Sequence, residues 1–281
     1  MRSVENILKS DVGYKSNPDL AKVIAVVSGK GGVGKSTITA NLSLALAMSG
    51  QKVAVIDTDI GLRNLDILFG YSDKIYNNII DVIEGTCTLN DALIQDKDFS
   101  NLVFLPASQI HDKSSLKSKG FTRIIDALKP EYNYIFLDVP AGIGQGLKNI
   151  IPVTESAIVV VTPDKASVLG ADRITGILET NNIVVSDMIV NKFNIDLLNK
   201  GGCLSINEIN EILGLNLLGI IPDDLSVLEA MNSGIPLVKK KNCPAGQAFV
   251  NISKRFLGKN APILYLFREN ILGRILGKLG F

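Results

Sequence analysis

The sequence contains few cysteines, and those it has are far apart. Its 281 residues include three, Cys87, Cys203 and Cys243, with no CxxC pair among them. A disulfide framework or a zinc site needs paired cysteines at characteristic spacings, so neither is predicted. The simplest interpretation is a protein with reduced cysteines in a cytosolic environment.

Net charge and long apolar runs are also lacking. The formal net charge of +1 excludes a global attraction to nucleic acid or membrane, so any such binding needs a local patch, and no nucleic-acid partner is expected. No apolar run approaches the roughly 18 residues that cross a bilayer. Residues 1–20 mix charges with few apolar side chains, unlike a secretory signal. We therefore expect a cytoplasmic protein.

Glycine, by contrast, is concentrated in one segment, GKGGVGKS, which follows an apolar run at residues 23–27. The segment fits G-x-x-x-x-G-K-[ST], the phosphate-binding loop. Phosphate oxygens need several inward-pointing backbone N–H groups, and glycine permits so tight a turn. Lys35 is predicted to reach the terminal phosphates and Ser36 to bind Mg²⁺. The predicted ATP-binding residues of the loop are Gly29, Lys30, Gly31, Gly32, Val33, Gly34, Lys35, Ser36 and Thr37.

The same letters also satisfy the dinucleotide-binding pattern G-x-G-x-x-G, through Gly29, Gly31 and Gly34, with Asp57 about one βα unit later. The pair Lys35-Ser36 argues against that interpretation, because a triphosphate needs a cation and a magnesium-binding hydroxyl at this point. The phosphate-binding loop is favoured. Dinucleotide binding or a chance glycine-rich turn are the alternatives.

Apolar strands alternate with helices along the chain, which predicts an α/β fold: a doubly wound, mostly parallel sheet of about seven or eight strands with helices on both faces. The predicted strands are 23–27, 52–56, 102–106, 134–137, 157–161, 188–190 and 217–221. The predicted helices are 35–49, 76–84, 89–94, 121–128, 167–179, 226–232 and 245–257. We expect one domain at 22–259, preceded by an extension, 1–21, that is a flexible lead-in or a partner-binding segment.

Polar residues at the ends of three predicted strands are candidate ligands, because the carboxyl edge of such a sheet binds the substrate. Asp138 closes a buried strand downstream of the loop and is predicted to bind Mg²⁺ beside Ser36. A helix cap or turn is the structural alternative for this aspartate. Asn191 and the run Pro222, Asp223 and Asp224 are candidates for holding a base.

The last 22 residues, 260–281, change pattern. Apolar side chains there recur on one helical face, with Arg274 and Lys278 on the other. Such a helix fits an interfacial anchor attracted to anionic lipid, although an ordinary core-packed terminal helix is the alternative. Two copies brought together by dimerisation would bind with avidity. The predicted membrane-binding residues are Ile271, Leu272, Ile275, Leu276 and Leu279.

Six segments together carry a family resemblance that covers most of the chain from Lys22 onward. They are SGKGGVGKST, IDTDIGLRNLDILFG, LPASQIHDKSSL, DVPAGI, TPDKASVLGADRITGIL and GIIPDDLSVLEAMNSGIPL. The chain resembles the MinD family of membrane-cycling ATPases that help to place the bacterial division site, within the deviant Walker A group that includes ParA. The resemblance implies a P-loop NTPase of the SIMIBI type.

The resemblance also implies site roles. Lys30 matches a signature lysine that crosses a dimer interface to the partner's nucleotide, and Asp59 matches the switch aspartate that orients the attacking water near the metal. Asn64 is a weaker candidate in the same segment, and Asp57 supports the site. Asn191 and the Pro222 segment match positions around adenine. The implied catalytic set is Lys30, Lys35 and Asp59, and the implied metal set is Ser36, Asp59 and Asp138.

The implied activity is Mg²⁺-dependent hydrolysis of ATP to ADP and phosphate by a homodimer that binds membrane reversibly on its cytoplasmic face. Expected partners are anionic lipid, a MinC-like inhibitor and a MinE-like or other activator. Three alternatives stay open. A ParA-like DNA-partitioning ATPase needs a basic surface, of which residues 239–241 are the only run; an iron–sulfur scaffold needs paired cysteines; and an FlhG-like flagellar-number regulator shares the tail. DIGLRNLD and LPASQ favour the division protein.

Overall fold

One eight-stranded sheet organises the part of the chain that the computed structural model describes, residues 20–62, 64–240 and 242–263. Its strand order is β3-β4-β2-β5-β1-β6-β7-β8. Only β3 runs antiparallel to its neighbour; every other pair is parallel. The strands are β1 (Lys22–Val27), β2 (Val53–Asp57), β3 (Ile94–Gln95), β4 (Leu102–Leu105), β5 (Tyr134–Asp138), β6 (Ser156–Val161), β7 (Val184–Phe193) and β8 (Asn216–Pro222).

Helices cover both faces of the sheet, which explains why its central strands are apolar at every position rather than at alternate ones. All residues of β2, β4, β5 and β6 are buried. The helices are α1 (Lys35–Met48), α2 (Leu65–Phe69), α3 (Ile79–Glu84), α4 (Leu89–Ala92), α5 (Ser118–Leu128), α6 (Gln145–Ile150), α7 (Lys165–Thr180), α8 (Ile195–Asn199), α9 (Ile206–Leu213), α10 (Ser226–Ser233) and α11 (Pro244–Phe256).

The two faces hold separate hydrophobic cores. Side chains of α3, α5, α7 and α9 fill one core, and those of α1, α2, α10 and α11 fill the other. Buried Asn41 ties the second layer together, because its Oδ1 accepts a hydrogen bond from the backbone N–H of Val238, 3.0 Å away. This layer forms the walls around the site described below.

The predicted fold class is confirmed, and so are the seven predicted strands, with boundaries shifted by a few residues. One strand was predicted too short, and one short edge strand was not predicted. The strand predicted at 188–190 extends over Val184–Phe193, because half-buried Ser186, at a register shift in the pairing with β6, and buried Asp187 interrupt its apolar pattern while the strand continues. Asn191 therefore lies inside β7 and not after it. The helix predicted at 89–94 ends at Ala92, and Ile94–Gln95 forms the edge strand β3.

Four short helices were not predicted from the sequence: α2, α6, α8 and α9. Two have a readable start signal, because Asn194 caps α8 and Ser205 forms a capping box with Glu208 at α9. The helix predicted from residue 76 begins at Ile79, where Asn78 and Asp81 make a capping box. Capping side chains, more than periodicity, set these boundaries.

The end of the described chain lies against β8, the last strand of the sheet. Arg255 of α11 donates from Nε to the carbonyl oxygen of Leu218 (2.9 Å) and from Nη2 to that of Leu217 (3.0 Å). Its Nη1 reaches the carbonyl oxygen of Ala261 at 3.5 Å, and Asn251 Nδ2 donates to that of Pro262 at 2.8 Å. Residues 261–263 are thereby attached to the sheet edge.

Two predicted segments fall outside the described residues: most of the extension, 1–19, and the five predicted membrane-binding residues of the tail. Among the helices that are described, none combines the length and the apolar character that crossing a bilayer requires.

Candidate nucleotide-binding site

Asp138, the last residue of β5, receives hydrogen bonds from three side chains of α1. Lys35 Nζ lies 2.5 Å and Thr39 Oγ1 3.1 Å from its Oδ1, and Ser36 Oγ donates to Oδ2 at 2.6 Å. Lys35 and Asp138 are both buried. The parallel register of β1 and β5 pairs Val26 with Asp138, which explains why this carboxylate meets the residues that follow β1.

A second carboxylate, Asp57, lies beside the first, because the β2–β5 register pairs Asp57 with Asp138. Burial, and then the negative charge of Asp138, hold the pKa of Asp57 well above its ordinary value. Its Oδ1 accepts from the backbone N–H of Asp59 at 2.9 Å. No hydrogen-bond donor among the described residues reaches its buried Oδ2. The site thus concentrates negative charge that one lysine only partly offsets.

Hard oxygen ligands dominate this cluster, and they fit Mg²⁺. The hydroxyl of Ser36 and the carboxylate of Asp138 are adjacent, and Asp59 lines the same cavity as Ser36. Among the described residues there is no group of three or more His, Cys, Asp or Glu side chains that could hold a metal. Mg²⁺ does not need one, since it keeps several waters and takes further ligands from phosphate.

The glycine-rich loop has the backbone conformation that its sequence predicts. Gly32 has φ 77° and Gly34 φ 90°, both in the left-handed region. Asn191 Nδ2 donates to the carbonyl oxygen of Val33 at 2.7 Å, and Lys192 Nζ donates to that of Gly32 at 2.8 Å. Two neighbouring residues of β7 therefore hold the loop from one side.

Helix α7 holds the loop from another side through a backbone-to-backbone contact. A Cβ added at Gly29 would lie 2.0 Å from the carbonyl carbon of Gly170, and one added at Gly170 would lie 3.0 Å from the Cα of Gly29. Only glycine at both positions permits this approach. The sequence analysis assigned Gly29 to phosphate binding, but the structure places it in the packing beneath the loop rather than on the cavity wall.

An open cavity of about 590 Å³ lies above the loop. Its second end is apolar and lined by Ile67, Leu68, Val227, Met231 and Leu237, which the sequence analysis did not identify. These residues come from three separate segments, so only the fold brings them together. The predicted residues that line the cavity are Lys30, Gly31, Gly32, Val33, Gly34, Lys35, Ser36, Thr37, Asp59, Asn191, Pro222, Asp223 and Asp224, and Asn64 lines it as well.

Asp224 lines the cavity, but hydrogen bonds within the domain occupy its carboxylate. Oδ1 accepts from the backbone N–H of Ser226 at 2.9 Å, and Oδ2 from that of Ala245 at 3.3 Å. Burial alone would raise the pKa of Asp224, yet a hydrogen bond from the Ser226 side chain, followed by the two backbone hydrogen bonds, holds it below its ordinary value. The side chain thus joins the starts of α10 and α11 and shapes the cavity wall.

Lys30 is the exposed member of the loop. Its side chain is 53% accessible and its Nζ lies 3.5 Å from Oδ1 of Asp164, the N-cap of α7. The pKa of Asp164 lies below its ordinary value. Burial alone would raise this pKa, but hydrogen bonds from Thr162 and Ser167, together with the charge of Lys30, lower it. A half-exposed pair of this kind contributes little stability, so Lys30 is free to take another partner.

Sequence reasoning missed three residues that hold the site together. Thr39 stands one turn after Ser36, a spacing that places both hydroxyls on one face of α1. Lys192 follows Asn191 directly, and its φ of 55° turns it towards the loop. Gly170 is a glycine inside a helix, which usually signals close packing. Each signal exists in the sequence, but its partner becomes visible only in the structure.

Comparison with known proteins gives a consistent result. A family model described as ParA: NUBPL iron-transfer P-loop NTPase matches residues 19–257. The septum site-determining protein MinD of Bacillus subtilis is 42% identical over 253 residues, which cover 89% of this chain and 94% of that protein. MinD of Helicobacter pylori is 42% identical over 247 residues, covering 85% of this chain and 92% of that protein.

Solved structures agree. A MinC:MinD cell division complex from Aquifex aeolicus matches with a TM-score of 0.78 and 38% identity, over 86% of this chain and 98% of that one. MinD from Pyrococcus horikoshii, solved in complex with Mg-ADP, matches with a TM-score of 0.76 and 29% identity, over 84% and 95%. A ParA family ATPase from Chlorobium tepidum has a TM-score of 0.71 at 19% identity, which shows a shared fold and no more.

Proposed function

This chain belongs to the MinD family, within the ParA group of P-loop NTPases, and we propose that it is an ATP-hydrolysing switch that helps to position the division site. One observation supports this most directly: Lys35 and Ser36, which line a cavity large enough for a nucleotide, converge with Thr39 on the buried Asp138.

Triphosphate binding is assigned to the loop and the start of α1. The backbone N–H groups of residues 31–37 bind phosphate oxygens. The side chain of Lys35 leaves Asp138 and pairs with the terminal phosphates. Ser36 and Asp138, with Asp59 beside them, would hold Mg²⁺, which when bound neutralises charge on the phosphate oxygens. The base occupies the apolar end of the cavity, between Asn191 and the Pro222 segment.

Hydrolysis is assigned to two residues at the edge of the cavity. Asp59 orients the attacking water from the start of the switch segment. Lys30 leaves Asp164 and crosses to the nucleotide of a second copy, where its charge stabilises the transferred phosphoryl group, as an arginine finger does. The site is complete only in a homodimer, so ATP binding and dimerisation are coupled.

The C-terminal tail connects this cycle to the membrane. A single short amphipathic helix binds lipid weakly, whereas two copies in one dimer bind as a unit and gain avidity. The ATP-bound dimer therefore associates with the cytoplasmic face of the membrane, and hydrolysis releases it. Because one MinD relative was solved as a MinC:MinD complex, we assign a MinC-like inhibitor as a partner. A MinE-like or other activator is proposed from the family resemblance alone.

Liposome sedimentation of the full chain with Mg·ATP, Mg·ADP and a non-hydrolysable ATP analogue tests the switch. We expect pelleting with ATP and the analogue and little with ADP. Leu276→Glu, on the apolar face of the tail, should abolish it, and Asn270→Glu, which adds the same charge on the opposite face, should leave it nearly unchanged. Equal pelleting in all three nucleotide states would rule out the switch.

A further inference from the structure

An exposed apolar stripe lies on α10 beside the nucleotide cavity. Leu225 is 89% accessible, Leu228 62% and Met231 41%, at spacing i, i+3 and i+6 on one side of the helix. Ile235, 47% accessible, follows the helix, and Ile67 of α2, 46% accessible, lies across it. A contiguous apolar patch of this kind on a water-soluble surface usually marks a binding site.

The patch combines residues of α2 and α10, and the ends of these two helices are in contact. Gly70 follows α2 and Gly234 follows α10, and both have positive φ. Their backbones touch, because a Cβ added at Gly234 would lie 2.9 Å from the Cα of Gly70. This contact holds the end of α2, which carries Ile67, against the turn that follows α10. We define Ile67, Leu225, Leu228, Met231 and Ile235 as the α10 seat.

We propose that the α10 seat binds the chain's own C-terminal tail, through Ile271, Leu272, Ile275, Leu276 and Leu279, when no membrane is present. Apolar helix faces recognise one another in this way when their lengths match. The tail stripe spans nine residues, about 12 Å as a helix, and the seat spans about 9 Å from Leu225 to Met231 before Ile235 extends it. The proposal rests on the assignment of the tail as a membrane anchor.

The point where the described chain ends supports this occupant. Asn251 holds the carbonyl of Pro262, and buried Ile263 lies beside Ile220 of β8, with which it lines a small cavity. Eight further residues lead to Ile271, and they span up to roughly 27 Å when extended. Leu225 is five residues beyond Ile220, at most about 18 Å away. Ile263 packs into the core on the opposite face of the sheet from the seat, so the tail would reach the seat around the outer edge of β8, the last strand of the sheet.

One acidic residue at the rim of the seat complements the tail. The apolar face of the tail is flanked by Arg274 and Lys278. Exposed Asp223 lies at the rim of the seat, whereas Glu229 already pairs with Lys240, whose Nζ lies 3.4 Å from its Oε2. Opposite charges at the rim of an apolar contact orient it without adding much affinity. Such weak binding suits a seat that has to release its occupant to lipid.

The seat shares residues with the nucleotide cavity, because Ile67 and Met231 line both. A second copy or a nucleotide that covers these side chains competes with the tail for them. Dimerisation therefore releases both tails at the same time, and the two tails of the dimer can bind lipid together. A monomer bound to ADP would bind lipid weakly even with a free tail, because it has only one anchor. A tail bound to the seat weakens that binding further.

A tryptophan placed in the tail tests the seat directly, since the chain contains none. In full-length Leu276→Trp with Mg·ADP and no lipid, we expect emission at shorter wavelength than from an exposed indole. Adding Leu228→Asp should shift it to longer wavelength. The control Ile212→Asp places the same charge on α9, at a 39% accessible position on the opposite face of the sheet, and should leave the spectrum unchanged.

Liposome pelleting supplies the second readout. Leu228→Asp without the tryptophan should increase pelleting with Mg·ADP, whereas Ile212→Asp should not. An emission maximum of an exposed indole that Leu228→Asp does not move would overturn the proposal. So would a Leu228→Asp variant that only lowers ATP-dependent dimerisation, or only weakens pelleting with ATP, because the seat would then belong to a second copy or to lipid. The lipid-free spectrum stays informative even if the tail proves not to bind membrane.

Discussion

Lys30 and Lys35 stand five residues apart in one loop, yet their surroundings differ. Lys35 is buried against Asp138, and Lys30 is half exposed against Asp164. A buried lysine with a partner at 2.5 Å is committed to its own subunit. A lysine in a loose surface pair gives up little when it leaves, so Lys30 is suited to act on a second copy.

The first prediction follows from this difference. Lys30→Ala should retain ATP binding but lower partner-stimulated hydrolysis by roughly 10³-fold, the scale of an arginine-finger loss. Steady-state turnover with and without activator measures this, alongside the affinity for ATP. Lys52→Ala, an exposed lysine away from the cavity, is the matched control. Full stimulated turnover in Lys30→Ala would remove the role in trans.

Asp57 provides the second prediction, through pH. Burial and then the charge of Asp138 raise the pKa of Asp57, and the hydrogen bond from the backbone N–H of Asp59 and the charge of Lys35 oppose the shift. A carboxyl group whose pKa is raised by folding contributes fully to stability at pH values below its ordinary pKa of about 3.9, where it is protonated. That contribution is lost as the pH rises through the raised pKa. At neutral and alkaline pH the buried charge therefore destabilises the protein.

Asp57→Asn removes that charge. The melting temperature of Asp57→Asn relative to wild type should increase between pH 5 and pH 8, by an amount equivalent to about 1–3 kcal/mol, the usual cost of an unsatisfied buried polar group. Thermal unfolding without nucleotide at several pH values measures it. A difference that does not change with pH would show that Asp57 is ionised throughout, or that its charge is fully compensated.

At the scale of elements, the contact between α7 and the glycine loop gives the third prediction. Gly170→Ala places a methyl group 3.0 Å from the Cα of Gly29, so the loop has to move by a few tenths of an ångström. Overpacking of this kind costs roughly 1–3 kcal/mol, and we expect it to appear as at least tenfold weaker ATP binding.

Gly176→Ala is the matched control on the same helix, because nothing lies within 4 Å of its added Cβ. It should stabilise α7 by about 1 kcal/mol without changing ATP affinity. Equal ATP affinity in the two variants, measured by calorimetry, would mean that the loop does not depend on α7 for its conformation.

The strands were predictable from the sequence, whereas much of the site was not. Runs such as Val23–Val27 are buried on both faces and so are apolar throughout, which makes them visible without a structure. The continuation of β7 to Phe193 is not visible in this way, because its pairing with β8 changes register after Val190 and Lys192 has positive φ. That irregularity aims Asn191 and Lys192 at the loop. The pairing of β7 with β8 determines this irregular strand end, and no local sequence pattern predicts it.

The phosphate end of the site was predictable and the base end only partly. Lys35 and Ser36 belong to one short motif, and Asp138 was predicted from its place at the end of an apolar strand downstream of the loop; the β1–β5 pairing that brings them together came from the structure. Phe249 and Leu237, which line the other end, come from α11 and the turn before it. Their positions depend on how α11 packs on α1, a long-range contact that no motif encodes.

For the whole molecule, the fourth prediction concerns ligand linkage. A ligand that binds only the folded state at 100 times its dissociation constant adds about 2.7 kcal/mol. At roughly 2–4 °C per kcal/mol for a protein of this size, Mg·ADP should raise the melting temperature by about 5–10 °C. Asp138→Asn should lose the magnesium-dependent part of that shift, whereas Asp126→Asn, an exposed carboxylate of α5, should keep it. An equal shift with ADP in EDTA would exclude the metal from binding.

Arg255 binds carbonyl groups of Leu217, Leu218 and Ala261 at once, so any tension on the C-terminus enters the domain at one end of β8. The other end of that strand carries Pro222 and Asp223 on the cavity wall. A pull on the chain beyond residue 263 would therefore be transmitted along a strand that ends at the wall of the proposed nucleotide cavity.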